Sequence, residues 1–140
     1  MIHNSDLIIY TDGGARGNPG PAAVGVVVCD LEHTVISEHK KYIGVKTNNH
    51  AEYEAVLLAL EEALKLGAAS IKFYLDSELV VKQLRGQYKI KNQGIAPLAE
   101  KVLALSNNFS SITYTHIPRE KNQHADKLVN QALDENLKKR

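Results

Sequence analysis

The sequence predicts an α/β fold for its 140 residues, a mixed five-stranded sheet with helices on both faces in three layers. Three observations lead there. Five short runs are crowded with β-branched and aromatic residues, the signature of strands. Four other segments repeat their apolar residues at helical spacing. The elements follow as strand, strand, strand, helix, strand, helix, helix, strand, helix. Short turns join the first three strands into an antiparallel meander. The first, fourth and fifth are separated by helices and pair in parallel through right-handed crossovers.

Residues 7–11, Leu-Ile-Ile-Tyr-Thr, form a buried strand that ends on Asp12 and then on glycines, which turn the chain sharply with positive φ. Residues 22–29 are a valine-rich second strand and residues 34–43 a third with patchy alternation, separated by a short turn at Asp30 to His33. Thr47-Asn48-Asn49-His50 opens a helix whose Tyr53, Leu57, Leu60 and Leu64 fall on one stripe, with Gly67 as the stop. Residues 71–75 make the fourth strand, ending on Asp76. From Ser77 a helical pattern of Leu79, Val80, Gln83 and Leu84 runs to Gly86. Ile95, Leu98, Val102 and Leu105 mark the next helix, with Pro97 in its first turn, where a missing N–H does little harm. Residues 112–117 are the fifth strand, closed by Pro118. In the last helix Ala125, Leu128, Val129, Ala132 and Leu133 follow i, i+3, i+4, i+7, i+8, and a frayed basic tail, Lys138-Lys139-Arg140, is expected after it.

Residues 1–140 suffice for one domain with its own core. The single cysteine, Cys29, excludes a disulfide framework and a cysteine zinc site, and fits a reducing, cytoplasmic setting. Residues 1–6 hold no basic n-region and no long apolar stretch, so neither a signal peptide nor a membrane span is expected. A formal net charge of +1 gives no overall pull on a polyanion, and any nucleic-acid contact rests on a local patch. No hydrophobic surplus requires a second copy, so a monomer is expected.

Chemistry enters with four acids. Asp12 and Asp76 each stand just past a strand end of the same polarity, so neighbouring strands would bring two carboxylates to one sheet edge, where α/β sheets place their sites. Glu52 and Asp126 lie in first turns of helices, where negative charge is welcome. Each acid alone has an ordinary role: Asp76 in a helix cap, Glu52 as the partner in an Asn49-x-x-Glu52 capping box, Asp126 as a solvated dipole partner. Together, at converging ends, they favour a site. Oxygen ligands without cysteine or paired histidine select a hard cation, Mg²⁺ or Mn²⁺, over zinc. Such a cluster suits phosphodiester cleavage in which separate ions supply water activation and leaving-group stabilisation.

Gly14, Gly17 and Gly20 suggest a dinucleotide loop, but a strand follows them where that motif needs a helix N-terminus, and no Gly-Lys-Ser/Thr is present. Exposed amides between Gly13 and Asn18 can still touch sugar or phosphate; a turn without a ligand fits them equally. His116 ends the fifth strand near the acids, as a polar strand terminus or a group for proton transfer. His124, beside Asp126, is the weaker candidate.

Tyr-Thr-Asp-Gly-Gly with Gly-Asn-Pro-Gly, Thr-Asn-Asn-His-Ala-Glu, Leu-Asp-Ser, and His-Ile-Pro-Arg-Glu-Lys-Asn-Gln-His-Ala-Asp, in that order from Leu7 to about Leu133, resemble type 1 ribonuclease H. The resemblance implies that family's three-layer fold. It also implies an endonuclease that cuts the RNA strand of an RNA–DNA hybrid, leaving 5′-phosphate and 3′-hydroxyl ends. Asp12, Glu52, Asp76 and Asp126 match the family's metal-binding acids, with two ions expected once substrate is bound. His116 matches its mobile histidine, and Asn122 the asparagine before the last acid. Gly13, Gly14, Arg16 and Asn18, with Asn48 and Asn49, match the region that touches 2′-hydroxyls and phosphates, and those hydroxyls separate RNA from DNA.

Two departures stand out. The chain has no Trp and, in place of the basic protrusion of some bacterial members, only Arg85-Gly-Gln-Tyr-Lys-Ile-Lys, so it resembles the shorter prokaryotic branch, and hybrid affinity would be weaker or would rest on a patch of Lys82, Arg85, Lys89 and Lys91. Glu78 stands where relatives carry an uncharged group, adding negative charge near the metals. The alternatives are cleavage of double-stranded RNA, a silent hybrid-binding module, and a junction resolvase or transposase core on the same sheet.

Overall fold

The computed structural model describes residues 6–139; expectations about residues 1–5 and Arg140 lie outside them. The elements are β1 Asp6–Ala15, β2 Gly20–Cys29, β3 Val35–Lys46, α1 Asn48–Lys65, β4 Ser70–Leu75, α2 Glu78–Leu84, α3 Ala96–Ser106, β5 Ser111–His116 and α4 Gln123–Lys138. They build one sheet in the order β3-β2-β1-β4-β5, antiparallel from β1 to β3 and parallel across β1, β4 and β5. Alternation along β1 divides the core between two faces. Leu7 and Ile9 pack with Tyr53, Val56 and Leu60 of α1 and with Val102 of α3. Ile8 turns the other way, with Val27 and Cys29, toward Ala125 and Leu128 of α4. The α/β fold, the topology and the three layers are those the sequence predicts.

Several local expectations need correction. The first strand does not end on Asp12. Its parallel ladder with β4 stops at Tyr10↔Tyr74, but its antiparallel ladder with β2 continues through Asp12↔Gly25 to Ala15↔Ala22. The turn is therefore displaced to residues 16–19, and Gly17 is the only one of Gly13, Gly14, Gly17 and Gly20 with a positive φ, 92°. Gly13 serves close approach instead. A Cβ there would lie 2.2 Å from the backbone carbonyl of Ala51, so the bare backbone is what lets α1 close on β1.

The third strand runs on to Lys46, and two register shifts against β2, at Ala22/Ala23 and Val28/Cys29, account for its patchy alternation. The buried face of α1 is Tyr53, Val56 and Leu60 set among Ala51, Ala55, Ala59 and Ala63, whereas Leu64 is exposed. Small side chains bring this helix onto the sheet, and of the expected stripe only Leu64 falls outside the contact. Leu79 is likewise exposed, and Val80 and Val81 anchor α2. The last helix stays ordered through Lys138, whose charge in the final turn complements the helix dipole. Among the described residues, no helix is long and apolar enough to cross a membrane.

Candidate metal centre

Asp12 from β1, Glu52 from α1 and Asp76 just beyond β4 bring carboxylate oxygens within 4.8 Å of one another. They line a cleft of about 580 Å³ at the C-terminal ends of the parallel strands, and Asp126 of α4 lines it too. Asp12 and Glu52 are buried, with 8% and 6% of their surface exposed. Hydrogen bonds from neighbouring elements hold Glu52 and Asp76. The Gly13 N–H donates to Glu52 Oε1 at 2.5 Å, which ties the α1 acid to the strand beside Asp12. Asn122 Nδ2 donates to the Thr11 carbonyl at 2.9 Å and to Asp76 Oδ2 at 3.2 Å, joining β1, the end of β4 and the start of α4.

Two acids therefore escape the ordinary roles open to them in sequence. Thr47 caps α1 through its Oγ1, which accepts from the His50 N–H at 3.1 Å, and Glu52 lies a turn deeper than the first, outside any capping box. Ser77, not Asp76, caps α2, accepting from the Val80 N–H at 3.3 Å. Asp126 does stand in the first turn of α4. It lies outside the three-acid group, with Arg119 Nη2 3.9 Å away and the Asn130 amide on its other side.

The electrostatics of this arrangement are unfavourable without a cation. Burial, then repulsion from Asp76, pushes Asp12 up to about 8. Burial and the charges of Asp12 and Asp76 raise Glu52 well above the carboxylate range, against the lowering influence of the Gly13 N–H. Asp76 is raised by burial, with Asn122, Arg119 and His116 partly compensating. Close, buried carboxylates that offer only oxygen, with no sulfur or imidazole among them, are the donor set of a hard divalent cation, and these residues fit one.

Of the other expected residues, Gly13, Gly14, Arg16, Asn48 and Asn49 line the same cleft. Asn18 does not. Its side chain accepts from the Asn48 N–H at 3.0 Å, while Asn48 Oδ1 accepts from the Ala15 N–H at 2.8 Å, so the pair stitches the glycine turn to α1. Asn122 is buried behind the acids and not on the cleft wall. His116 is exposed at the end of β5, outside the lining, yet near enough for its charge to act on Asp76. His124 turns away and pairs with Glu38.

Two cations of the four-residue basic patch have partners within the fold. Lys82 is bound to Glu78 at 2.9 Å and lies 5.0 Å from the centre of the Tyr88 ring, and Arg85 Nε donates to the Tyr114 carbonyl at 2.7 Å. Arg85, Lys89 and Lys91 are all exposed, and the Glu78 charge is answered by Lys82. Sequence reasoning missed Arg119 and Asn130, which also line the cleft. Arg119 sits on a single 3-10 turn, Arg119–Lys121, too short to leave a periodic signal. Asn130 was findable, since it follows Asp126 by four residues on one helix face.

Residues 10–132 match the reverse transcriptase-like family model. The chain is 44% identical over 129 residues to bifunctional protein Rv2228c of Mycobacterium tuberculosis, covering 91% of this chain and 35% of that protein. It is 41% identical over 126 residues to ribonuclease HI of Halobacterium salinarum, covering 90% of this chain and 63% of that one. It thus spans about a third of the first relative's length and under two thirds of the second's. The crystal structure of LC11-RNase H1 in complex with an RNA/DNA hybrid matches at a TM-score of 0.90 and 44% identity, over 94% of this chain and 99% of that one. The match to the family model, with ribonuclease H relatives and structures at this level of identity, places the chain in one family: it belongs to the ribonucleases H.

Proposed function

We propose that this chain is a divalent-metal-dependent endonuclease that hydrolyses the RNA strand of RNA–DNA hybrids, leaving 5′-phosphate and 3′-hydroxyl ends. One observation carries this: the convergence of Asp12, Glu52 and Asp76 within 4.8 Å on a cleft rimmed by glycine backbone and asparagine side chains. The RNA/DNA hybrid bound by LC11-RNase H1 supports the same substrate class here. Asp12, Glu52, Asp76 and Asp126 hold Mg²⁺ or Mn²⁺, two ions once substrate is in place. When bound, the ions supply water activation and neutralise charge at the scissile phosphate.

The chain's own residues prepare the site for that chemistry. Asn122 keeps Asp76 turned toward Asp12, and the Gly13 N–H keeps Glu52 from swinging away. Gly13, Gly14, Arg16, Asn48 and Asn49 offer donors and acceptors along one wall, where 2′-hydroxyls and phosphates of the RNA strand lie. Asn18 supports that wall through Asn48. His116, exposed beside the acids, moves a proton at the leaving oxygen. Residues 1–140 act as one catalytic unit, a cytoplasmic monomer whose buried Cys29 suits a reducing compartment.

The test is a hybrid labelled on either strand, incubated with Mg²⁺, with Mn²⁺ or with chelator. Fragments should come from the RNA strand alone, only with an ion, and Asp12→Asn should reduce them to background. Cleavage of the DNA strand, or undiminished cutting by that variant, contradicts the proposal. Duplex RNA run alongside decides whether A-form shape alone admits a substrate.

A further inference from the structure

Asp126 differs from the other acids in how it is held. Its side chain is about one-third exposed, and among the described residues no backbone N–H of the sheet fixes its carboxylate as Gly13 fixes Glu52. Instead it stands between two partners. On one side is Arg119 Nη2, 3.9 Å away on a side chain that is 82% exposed. On the other is Asn130, one turn along α4, whose Nδ2 donates to the Asp126 carbonyl at 3.1 Å and reaches Asp126 Oδ2 at 3.4 Å.

Asn130 is itself held. Its Oδ1 accepts from Arg16 Nη2 at 3.2 Å, and the same nitrogen donates to Asp134 Oδ1 at 2.8 Å. Asp126, Asn130 and Asp134 form an i, i+4, i+8 stripe on α4, and Arg16 comes from the far end of β1 beyond the glycines. With Arg16 on its oxygen, the Asn130 amide has one orientation left, its nitrogen toward Asp126. We propose that Asn130 is a positioning residue for the fourth acid: fastened by Arg16, it directs the Asp126 carboxylate into the cleft and so sets how tightly the divalent-ion site closes.

This rests on reading the cleft as a metal centre and adds a connection to it. Arg16, on the wall where the RNA strand is to lie, is coupled to an acid on α4 through one amide. A side chain that only filled space at position 130 would affect neither the ion nor Arg16's influence on it.

The experiment is calorimetric titration of Mn²⁺ into the full chain without substrate, followed by hybrid cleavage across Mn²⁺ concentration. Wild type should bind the ion and cleave. Asn130→Ala should weaken Mn²⁺ binding by about 10-fold, the lower end of the effect of removing a group that orients a ligand. It should shift half-saturation of cleavage equally and change KM for hybrid less than twofold, roughly the noise of such a comparison. Arg16→Ala should weaken Mn²⁺ binding in the same direction, and the double variant should be no worse than Asn130→Ala alone, because the two act in series. Should Asn130→Ala fail to fold, the Arg16→Ala titration carries the test by itself. Unchanged Mn²⁺ affinity in a folded variant, additive losses, or a change confined to KM overturns the positioning role while leaving the metal centre standing. Failure of wild type to bind Mn²⁺ overturns both.

Discussion

Asp12 is subject to two opposed demands. Its carboxylate is buried beside Glu52 and Asp76, and burial with repulsion holds its pKa near 8 in the ion-free fold. The unfolded chain, with an ordinary carboxylate near 3.8, gives up a proton that the folded chain keeps. Stability of the ion-free protein therefore falls as pH rises from about 4 to about 8, the opposite of an acid held in an ion pair. In chelator, the melting temperature of wild type should drop across that window, and Asp12→Asn should flatten the drop. At pH 8 the same variant should be about 1–2 kcal/mol more stable than wild type while losing cleavage, since a site built for an ion is strained without one. Thermal melts with EDTA check both. Ion and proton compete for the same oxygens, so activity at limiting Mg²⁺ should climb with pH toward about 8.

At the scale of elements, two helices carry acids to the sheet and both depend on close backbone approach. Gly25 of β2 faces α4, where a Cβ would lie 2.4 Å from the Ala125 carbonyl oxygen and 2.9 Å from Leu128 Cβ. Gly25→Ala should push α4 off the sheet at a cost of about 3 kcal/mol. Because α4 carries Asp126, it should also weaken Mn²⁺ binding, as denaturant melts and calorimetry would show. Thr47→Ala removes only the cap of α1, for about 1 kcal/mol of stability, and should leave ion binding unchanged because Glu52 is held independently by Gly13. The buried face of α4 was legible because Ala125, Leu128, Val129, Ala132 and Leu133 keep strict helical spacing on an otherwise polar helix. On α1 the expected stripe holds at Tyr53, Leu57 and Leu60 and fails at Leu64, and the alanines that complete its contact carry too little apolar surface to stand out in the sequence. The meeting of Asp12 and Asp76 was legible from strand polarity, whereas Glu52 joins them from the second turn of α1 and not the first. Asn122 and Asn18 were placed less well and Arg119 was missed, because hydrogen bonds between distant elements and a three-residue turn leave no periodic trace.

For the whole molecule, charge is nearly balanced at +1, yet the cleft concentrates acids where a polyanion is to bind. Attraction to nucleic acid must come from elsewhere, and Arg85, Lys89 and Lys91 remain exposed for it while Lys82 is paired with Glu78. Lys91→Ala should weaken hybrid binding evenly across sequences and make the dependence of log affinity on log salt shallower by about 1, measured by titration at several salt concentrations. The central claim, however, concerns oxygen atoms and an ion. The most direct measurement is anomalous diffraction at the manganese edge from crystals of this chain soaked in Mn²⁺. A peak bounded by the carboxylates of Asp12, Glu52 and Asp76 is the predicted result. Carboxylates splayed apart with no peak between them, in crystals of a protein that still cuts the RNA strand, would contradict the account.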